Sequence, residues 1–315
     1  MATTTSITST YAGEFAGKYI SAALLSGVTL DQGNIEIKHN VKFKEVIKKV
    51  ATDSNVIKDG TCDFTDTATV TLTERILQPE EFQVNLELCK KDFRSDWEAI
   101  QMGYSSFDNL PPKFSDFLIS HVAGLVAEKT EQNIWAGVNG NAGEFDGLTV
   151  LMAADSDVVD ASNGSETSFT SSNIATLLGN VVDGIPNAVY GKEDLNIYVP
   201  PVAYQAYIRS LGGFGASGLG AAGTDNKGSQ WYNMGNALSF EGIKVINTPG
   251  MPSDHIVAGQ KSNIYFGTGL LSDHNEVKVL DMADLDGSQN VRVVMRFTAG
   301  VQYGIGSELV LLTLA

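Results

Sequence analysis

Apolar positions recur at helical spacing over the longest patterned stretch of the chain, Lys113–Val138. Phe114, Phe117, Leu118, Val122, Leu125 and Val126, then Ile134 and Trp135, share that spacing, while Asp116, Glu128, Lys129 and Glu131 fall on other faces. Pro111 and Pro112 precede it, where proline is tolerated and the residue before a proline is pushed out of the helical region. Gly137, Gly140 and Gly143 follow and stop it. About 26 residues at ~1.5 Å each predict a rod of roughly 39 Å. Taken alone, the stretch reads as a long core helix.

Upstream the pattern changes twice. Residues 1–49 open with a Thr/Ser tract, carry helical spacing over Glu14–Leu25, bend at Asp31-Gln32-Gly33-Asn34 and alternate as one strand over Ile35–His39. They hold too few apolar residues for a private core, so this arm is expected to pack on another body, including another chain. Residues 50–76 are β-like, with β-branched residues dense over Thr65–Thr73 and a turn signal at Asp59-Gly60. They predict a long hairpin, and an isolated hairpin is marginal in water. Phe82–Leu88 alternates as a half-buried strand, and Cys89–Met102 has helical spacing through Phe93, Trp97 and Ile100.

Beyond the rod, Leu148–Met152 predicts a short strand and Asp155–Ser172 a polar loop. Ser172 or Asn173 is placed to cap a helix through Ile174, Leu177, Leu178, Val181 and Val182. Leu195–Val199 reads as a buried strand ended by Pro200-Pro201, Val202–Leu211 as a helix and Gly212–Ser229 as a glycine-rich loop. A strand pair over 238–247 and a strand at Ile256–Gly259 complete what looks like a small α/β domain between 148 and 275. Glu276–Asp281 and Asn290–Ala299 alternate around a turn at Asp286–Gln289, and Val301–Gly306 and Leu309–Leu314 close the chain.

Composition narrows the function. The 315 residues are 43% hydrophobic and 18% charged, with a net charge of −16. That balance argues against a basic nucleic-acid-binding face, although a chain lying against packaged nucleic acid without gripping it remains compatible. Cys62 and Cys89 match no metal spacing and read as reduced thiols of a protein made in the cytosol. The opening MATTTSITST lacks the layout of a signal peptide, and no run approaches the ~18 apolar residues that cross a bilayer.

Candidate chemistry is thin. Gly213–Gly218 and Gly218–Gly223 both spell G-x-G-x-x-G. A dinucleotide fingerprint needs a strand before and a helix after, whereas Ala203–Leu211 looks helical and Thr224–Ser229 is polar loop. The stretch Gly184–Lys192 misplaces the first glycine of a P-loop. His39, His121, His255 and His274 are scattered, and the repeated Ser-Asp-His at 253–255 and 272–274 lies in turns. His121 is expected to be a packed core residue. Asp155-Ser156-Asp157 and Asp284–Gly287 do not complete a calcium loop. Asn163-Gly164-Ser165 is a glycosylation sequon with meaning only in a secreted protein. No catalytic, cofactor-binding or metal residue is predicted, and no cofactor. An arm, a projecting hairpin, a rod and a small lobe describe a protein whose work is assembly.

Several phrases, in order, resemble the major capsid protein of tailed bacteriophages, the HK97-like fold. Gln132–Gly137 leading to Phe145-Asp146-Gly147-Leu148 looks like the end of that family's spine helix. Leu195–Pro200 followed by Tyr204 and Tyr207 is similar to a strand-then-helix step of its outer lobe. Gly242–Val245 through Gly250-Met251-Pro252, then Asn263–Thr268, resembles the run before the last sheet, and Val291–Val293 to Ala299–Tyr303 its closing strands.

The resemblance implies an α+β fold with an N-terminal arm (1–49) and an extended loop lying over a neighbouring subunit (50–76). It further implies a peripheral domain (77–148 and 276–303) built on the spine helix 113–138, and an axial α/β domain (149–275 and 304–315). It implies an icosahedral shell of pentamers and hexamers around double-stranded DNA, in a virion made in bacterial cytoplasm. Portal and decoration proteins are implied as partners. Arm-like sequence from Met1 implies a separate scaffolding protein or none, and Lys58 carries no motif for the inter-subunit cross-link of some members. An encapsulin-like nanocompartment of the same fold, and an unrelated enzyme with a nucleotide-binding glycine loop, are the alternatives.

Overall fold

The computed structural model describes residues 9–11, 27–41, 43–52, 57, 59–60, 69–89, 112–212, 238–269, 277–283 and 287–315. The first elements are β1 (Ser9–Tyr11), a single helical turn α1 (Val28–Asp31) and β2 (Glu36–His39). A hairpin of β3 (Glu45–Thr52) and β4 (Val70–Leu77) follows, then β5 (Glu80–Cys89) and the 25-residue helix α2 (Pro112–Ala136). The second half runs through α3 (Leu148–Ala153), β6 (Val159–Asp160), α4 (Ile174–Asp183), β7 (Leu195–Val199), α5 (Pro201–Gly212), β8 (Ser239–Phe240), β9 (Ile243–Asn247) and β10 (His255–Gln260). It ends with β11 (Ile264–Thr268), β12 (Val277–Asp281), β13 (Asn290–Tyr303) and β14 (Val310–Thr313).

Among the described residues these strands make two larger sheets and the hairpin. One sheet has the order β1-β12-β13-β11-β2, with β5 also on β13. The 14-residue β13 pairs with β12 and β5 along its first part and with β11 at Gly300–Tyr303. It alternates buried and open positions, with Val291, Val293, Met295, Phe297 and Ala299 turned inward under α2. The other sheet, β6-β14-β10-β7-β9-β8, is mixed, because β7–β9 and β6–β14 are parallel. Its central strand β7 is buried at every position, as a strand covered on both faces should be. Helices α4 and α5 cover it through Leu177, Leu178, Val181, Ala203 and Tyr207.

The rod is present, and several expectations about it and its surroundings change. It ends at Ala136 rather than Val138, because the Val138 N–H is taken by the Glu144 carboxylate instead of a helix carbonyl. Leu125, placed on the apolar stripe, is 50% exposed, whereas Glu131, placed on another face, is 5% exposed. His121 lies on the exposed face and is not a core residue. Leu148–Met152 is helical rather than a strand: Leu148 and Met152, four apart, bury the same side, and Thr149 donates its hydroxyl to the Trp135 carbonyl at 2.6 Å. The expected strands 290–299 and 301–306 are one strand, β13, through Tyr303. Asn173 precedes α4 without capping it; its Oδ1 accepts the Thr170 N–H at 2.8 Å, tying the preceding loop.

The arm also finds its neighbours in its own chain. β1 pairs with β12, β2 runs parallel to β11, and Leu30 and Ile35 enter the core beside Trp135 and Tyr198. β11, counted from the sequence with the α/β lobe, is hydrogen-bonded to β13 and β2. The helical spacings over Glu14–Leu25 and 90–102, the glycine-rich loop at 213–229, Thr65–Ala68, Lys58, Cys62 and His274 lie outside the described residues.

Candidate assembly interface

The hairpin is where hydrophobic surface goes unburied. β3 and β4 pair antiparallel in eight steps, from Glu45 opposite Leu77 to Thr52 opposite Val70. Directly opposed residues share a face, so Val46, Val50, Val70, Leu72 and Ile76 line one side. These five are 43%, 63%, 60%, 72% and 43% exposed. β-branched residues in both strands favour the extended backbone, but among the described residues this side has nothing to lie on. Covering what remains open on them is worth about 1 kcal/mol each, before the entropy of association is subtracted. Lys48 and Glu74 sit opposite each other in the middle of the same side.

The other side is used only at its base. Leu77 is fully buried and packs over Gly267, where a Cβ would meet the Leu77 side chain at 3.0 Å. Arg75 pairs with the Asp155 carboxylate and lies over the Tyr303 ring, 4.4 Å from its centroid. The Tyr303 hydroxyl donates to the same Asp155 oxygen at 2.7 Å, and the Asp157 N–H donates to the other at 3.0 Å. Partial burial works against the Asp155 charge, but the Asp157 N–H, the Tyr303 hydroxyl and the Arg75 guanidinium together hold its carboxyl below the usual carboxylate range. Burial pushes the Tyr303 phenol up, and the facing Asp155 adds to it. Gln302 donates to the Ile76 carbonyl at 3.2 Å, and Lys38 pairs with Glu45 at 3.3 Å. The hairpin is therefore clamped at its root and carries an apolar side outward for roughly 26 Å of eight-residue strand.

A second open apolar area lies on the body. A cleft of about 360 Å³ runs between β5 and α2, with Phe82, Val84 and Phe297 in its floor and Leu86 and Leu125 at its edge. At the far end of α2 a tight turn fixes how the helix meets the next segment. Gly147 N–H donates to the Gly137 carbonyl at 2.8 Å, Asn139 N–H to Asp146 at 2.8 Å, and Glu144 accepts from Lys129 at 2.6 Å and Asn141 at 3.0 Å.

The residues weighed from sequence as chemistry do not converge. Asp155 serves the clamp, Asp254 holds His255 at 2.7 Å, and His39 stands on β2. Asn163 closes an Asx turn by accepting the Ser165 N–H at 2.9 Å. Cys89 is free at the end of β5. Among the described residues no His/Cys/Asp/Glu cluster could hold a metal, and no helix is long and apolar enough to cross a membrane. Two polar clusters went unnoticed in the sequence: Arg75–Asp155–Tyr303, and the buried set Glu131, Thr29 and Trp135. The second had a signal, since Glu131 is four residues from both Ala127 and Trp135 and so shares their side of the helix.

No family model matches the chain, and no curated protein matches it in sequence. Solved structures match it along most of its length. One from Gordonia phage Cozz has a TM-score of 0.57 at 13% identity, covering 92% of this chain and 87% of its own. The capsid of Myoviridae phage XM1 gives 0.56 at 14%, with 92% of each chain covered. A virus-like particle from Pyrococcus furiosus gives 0.51 at 10%, covering 94% of this chain and 98% of that one. At these identities the likeness is one of fold.

Proposed function

We propose that this chain is the major capsid protein of a tailed phage, a structural and non-enzymatic subunit that self-assembles into an icosahedral head around double-stranded DNA. The observation that carries the reading is the hairpin: its root is clamped to the body, and its outward apolar side is uncovered among the described residues, as a side that a neighbouring subunit completes would be. The end-to-end likeness in fold to phage capsid structures supports the same conclusion.

In this reading the chain has the HK97-like layout. Residues 1–49 are the arm, 50–76 the extended loop, 77–148 and 276–303 the peripheral domain on its spine helix, and 149–275 with 304–315 the axial domain. Pentamers and hexamers of the chain form the shell of the virion. A separate scaffolding protein, a portal and decoration proteins join it, and DNA lies along the inner face without sequence-specific contacts. A surface of net charge −16 suits that passive role and keeps free subunits apart before assembly.

Electron microscopy of the purified protein tests the reading. Closed shells or capsomer rings are the expected result, and a persistent monomer at high concentration overturns it. A second reading, an encapsulin-like compartment, is compatible with the likeness to a virus-like particle from Pyrococcus furiosus. Particles isolated from the native source separate the two, since a genome inside selects the head and a cargo enzyme selects the compartment.

A further inference from the structure

We propose that the Glu131 carboxyl is a proton-operated latch between the arm and the long helix α2, closed when it carries a proton and loosened when it is ionised. Three distant segments cross at this group. Its Oε2 accepts the Thr29 N–H at 3.1 Å and its Oε1 accepts the Thr29 hydroxyl, both from α1. The Thr29 oxygen in turn accepts the Trp135 indole N–H at 2.9 Å. A Cβ at Gly27 would stand 2.5 Å from Oε2, and a Cβ at Gly250 would stand 2.1 Å from the Glu131 carbonyl oxygen. The arm, the helix and the loop before β10 therefore meet with no room for a methyl group.

The charges around the site do not offset an ionised Glu131. On its own helix, Glu128 lines the same cleft, and Lys129 is turned to Glu144 at 2.6 Å. On the arm, Asp31 ends α1 as an exposed acid. The loop Thr248–Met251 has no ionisable side chain. Tyr198, its ring tilted 44° against Trp135, gives its hydroxyl to the Asn34 carbonyl at 2.5 Å. Among the described residues, the ionised form is thus held by two hydrogen bonds from Thr29 in a site 5% exposed, next to a second acid. Burial is the larger effect and raises the Glu131 carboxyl above its usual range, with the Thr29 bonds opposing it.

The sign follows from linkage. A carboxyl favoured in its protonated form by folding contributes most below its ordinary range, and that contribution is lost as pH rises through its raised value. Protons have a route, because a cleft of about 330 Å³ between Gly27, Gly124, Glu128 and Pro249 opens onto the group and is roomy enough for water. The uptake of one proton removes a buried charge at the cost of one of the two Thr29 bonds, the other staying on the oxygen that remains a carbonyl. The latch stands whether or not the chain builds a shell, so its test is independent of that reading.

Hydrogen–deuterium exchange of the full-length protein, read on peptides covering 27–41 and corrected for intrinsic rates, tests the latch. Wild-type exchange should be ~10-fold slower at about pH 5 than at about pH 8. Glu131→Gln, which keeps an acceptor but cannot ionise, should flatten that profile. Thr29→Val, which removes one donor to the ionised form, should deepen the loss of protection at the higher pH. A flat wild-type profile, or a pH response of the same size in Glu131→Gln, overturns the proposal. If Glu131→Gln does not fold, an unchanged profile in Thr29→Val overturns it.

Discussion

A Cβ on Gly137 would stand 2.2 Å from the carbonyl oxygen of Phe145. The backbone of the α2 terminus thus lies directly on the backbone of the segment that leads into α3, with the Gly147 N–H bonded to the Gly137 carbonyl between them. Neither backbone can retreat, since Phe145 is 4% exposed and Trp135 fully buried. Gly137→Ala should cost about 3 kcal/mol or more. Gly124, in the middle of the same helix, has nothing within 4 Å of a Cβ, and Gly124→Ala should instead stabilise by about 0.5–1 kcal/mol. Thermal melts of the two variants under conditions that keep the chain unassembled check both signs together.

Leu72→Lys places a charge in the open apolar side of the hairpin, at a position 72% exposed. The unassembled subunit should fold as before, within ~0.5 kcal/mol, because nothing among the described residues covers that position. Particle yield by sedimentation should collapse. Thr73→Gln, on the opposite side of the hairpin beside Lys49, should leave yield unchanged. Equal losses in both variants would remove the distinction between the sides.

Glu144 offers a pH-dependent contribution of the opposite sign to that of Glu131. The Lys129 hydrogen bond, then Asn141 and the Val138 N–H, hold its carboxyl down at about 2. A depressed carboxyl contributes stability above its ordinary value and loses it as pH falls towards the folded value. The gap in melting temperature between wild type and Glu144→Gln should therefore be full at neutral pH and close as pH approaches about 2.

Assembly should respond to salt. Subunits of net charge −16 repel one another, and ions screen that repulsion over about 10 Å at ~0.1 M. Particle yield at fixed protein concentration should rise between ~0.05 M and ~0.5 M salt, and light scattering reads it directly. A yield indifferent to ionic strength would show that charge does not govern association.

Much of the fold was legible because local pattern and burial agree. Leu195–Val199 reads as a covered strand and is buried throughout, and α4 buries the five residues that its spacing selects. Reading failed where local pattern is ambiguous or contacts are remote. Leu148–Met152 is too short to tell a strand from a helix by apolar content, and only its fit under Trp135 decides. Leu125 and Glu131 exchanged expected roles because the core side of α2 is set by what the arm and β13 press against it. Of the interface, the hairpin and its need for a neighbour could be read from β-branched density, but not which side stays open. That depends on Leu77 being seated over Gly267, a pairing 190 residues apart (267 − 77). The arm's place on its own chain was equally hidden, since its partners lie in β11 and β12.

Those partners set an order of events during synthesis. β1 and β2 leave the ribosome well over 200 residues before the strands they pair with, Val277–Asp281 and Ile264–Thr268, as Ser9 opposite Val279 and Glu36 opposite Tyr265 show. The sheet under α2 cannot close until β13 is out, and pairings so remote in sequence form slowly. Throughout that interval the edges of β1 and β2, and the hydrophobic side of the hairpin, stand open to other chains. A newborn subunit is thus exposed to wrong partners before it can present the right surface, and its yield in the cell should depend on chaperones.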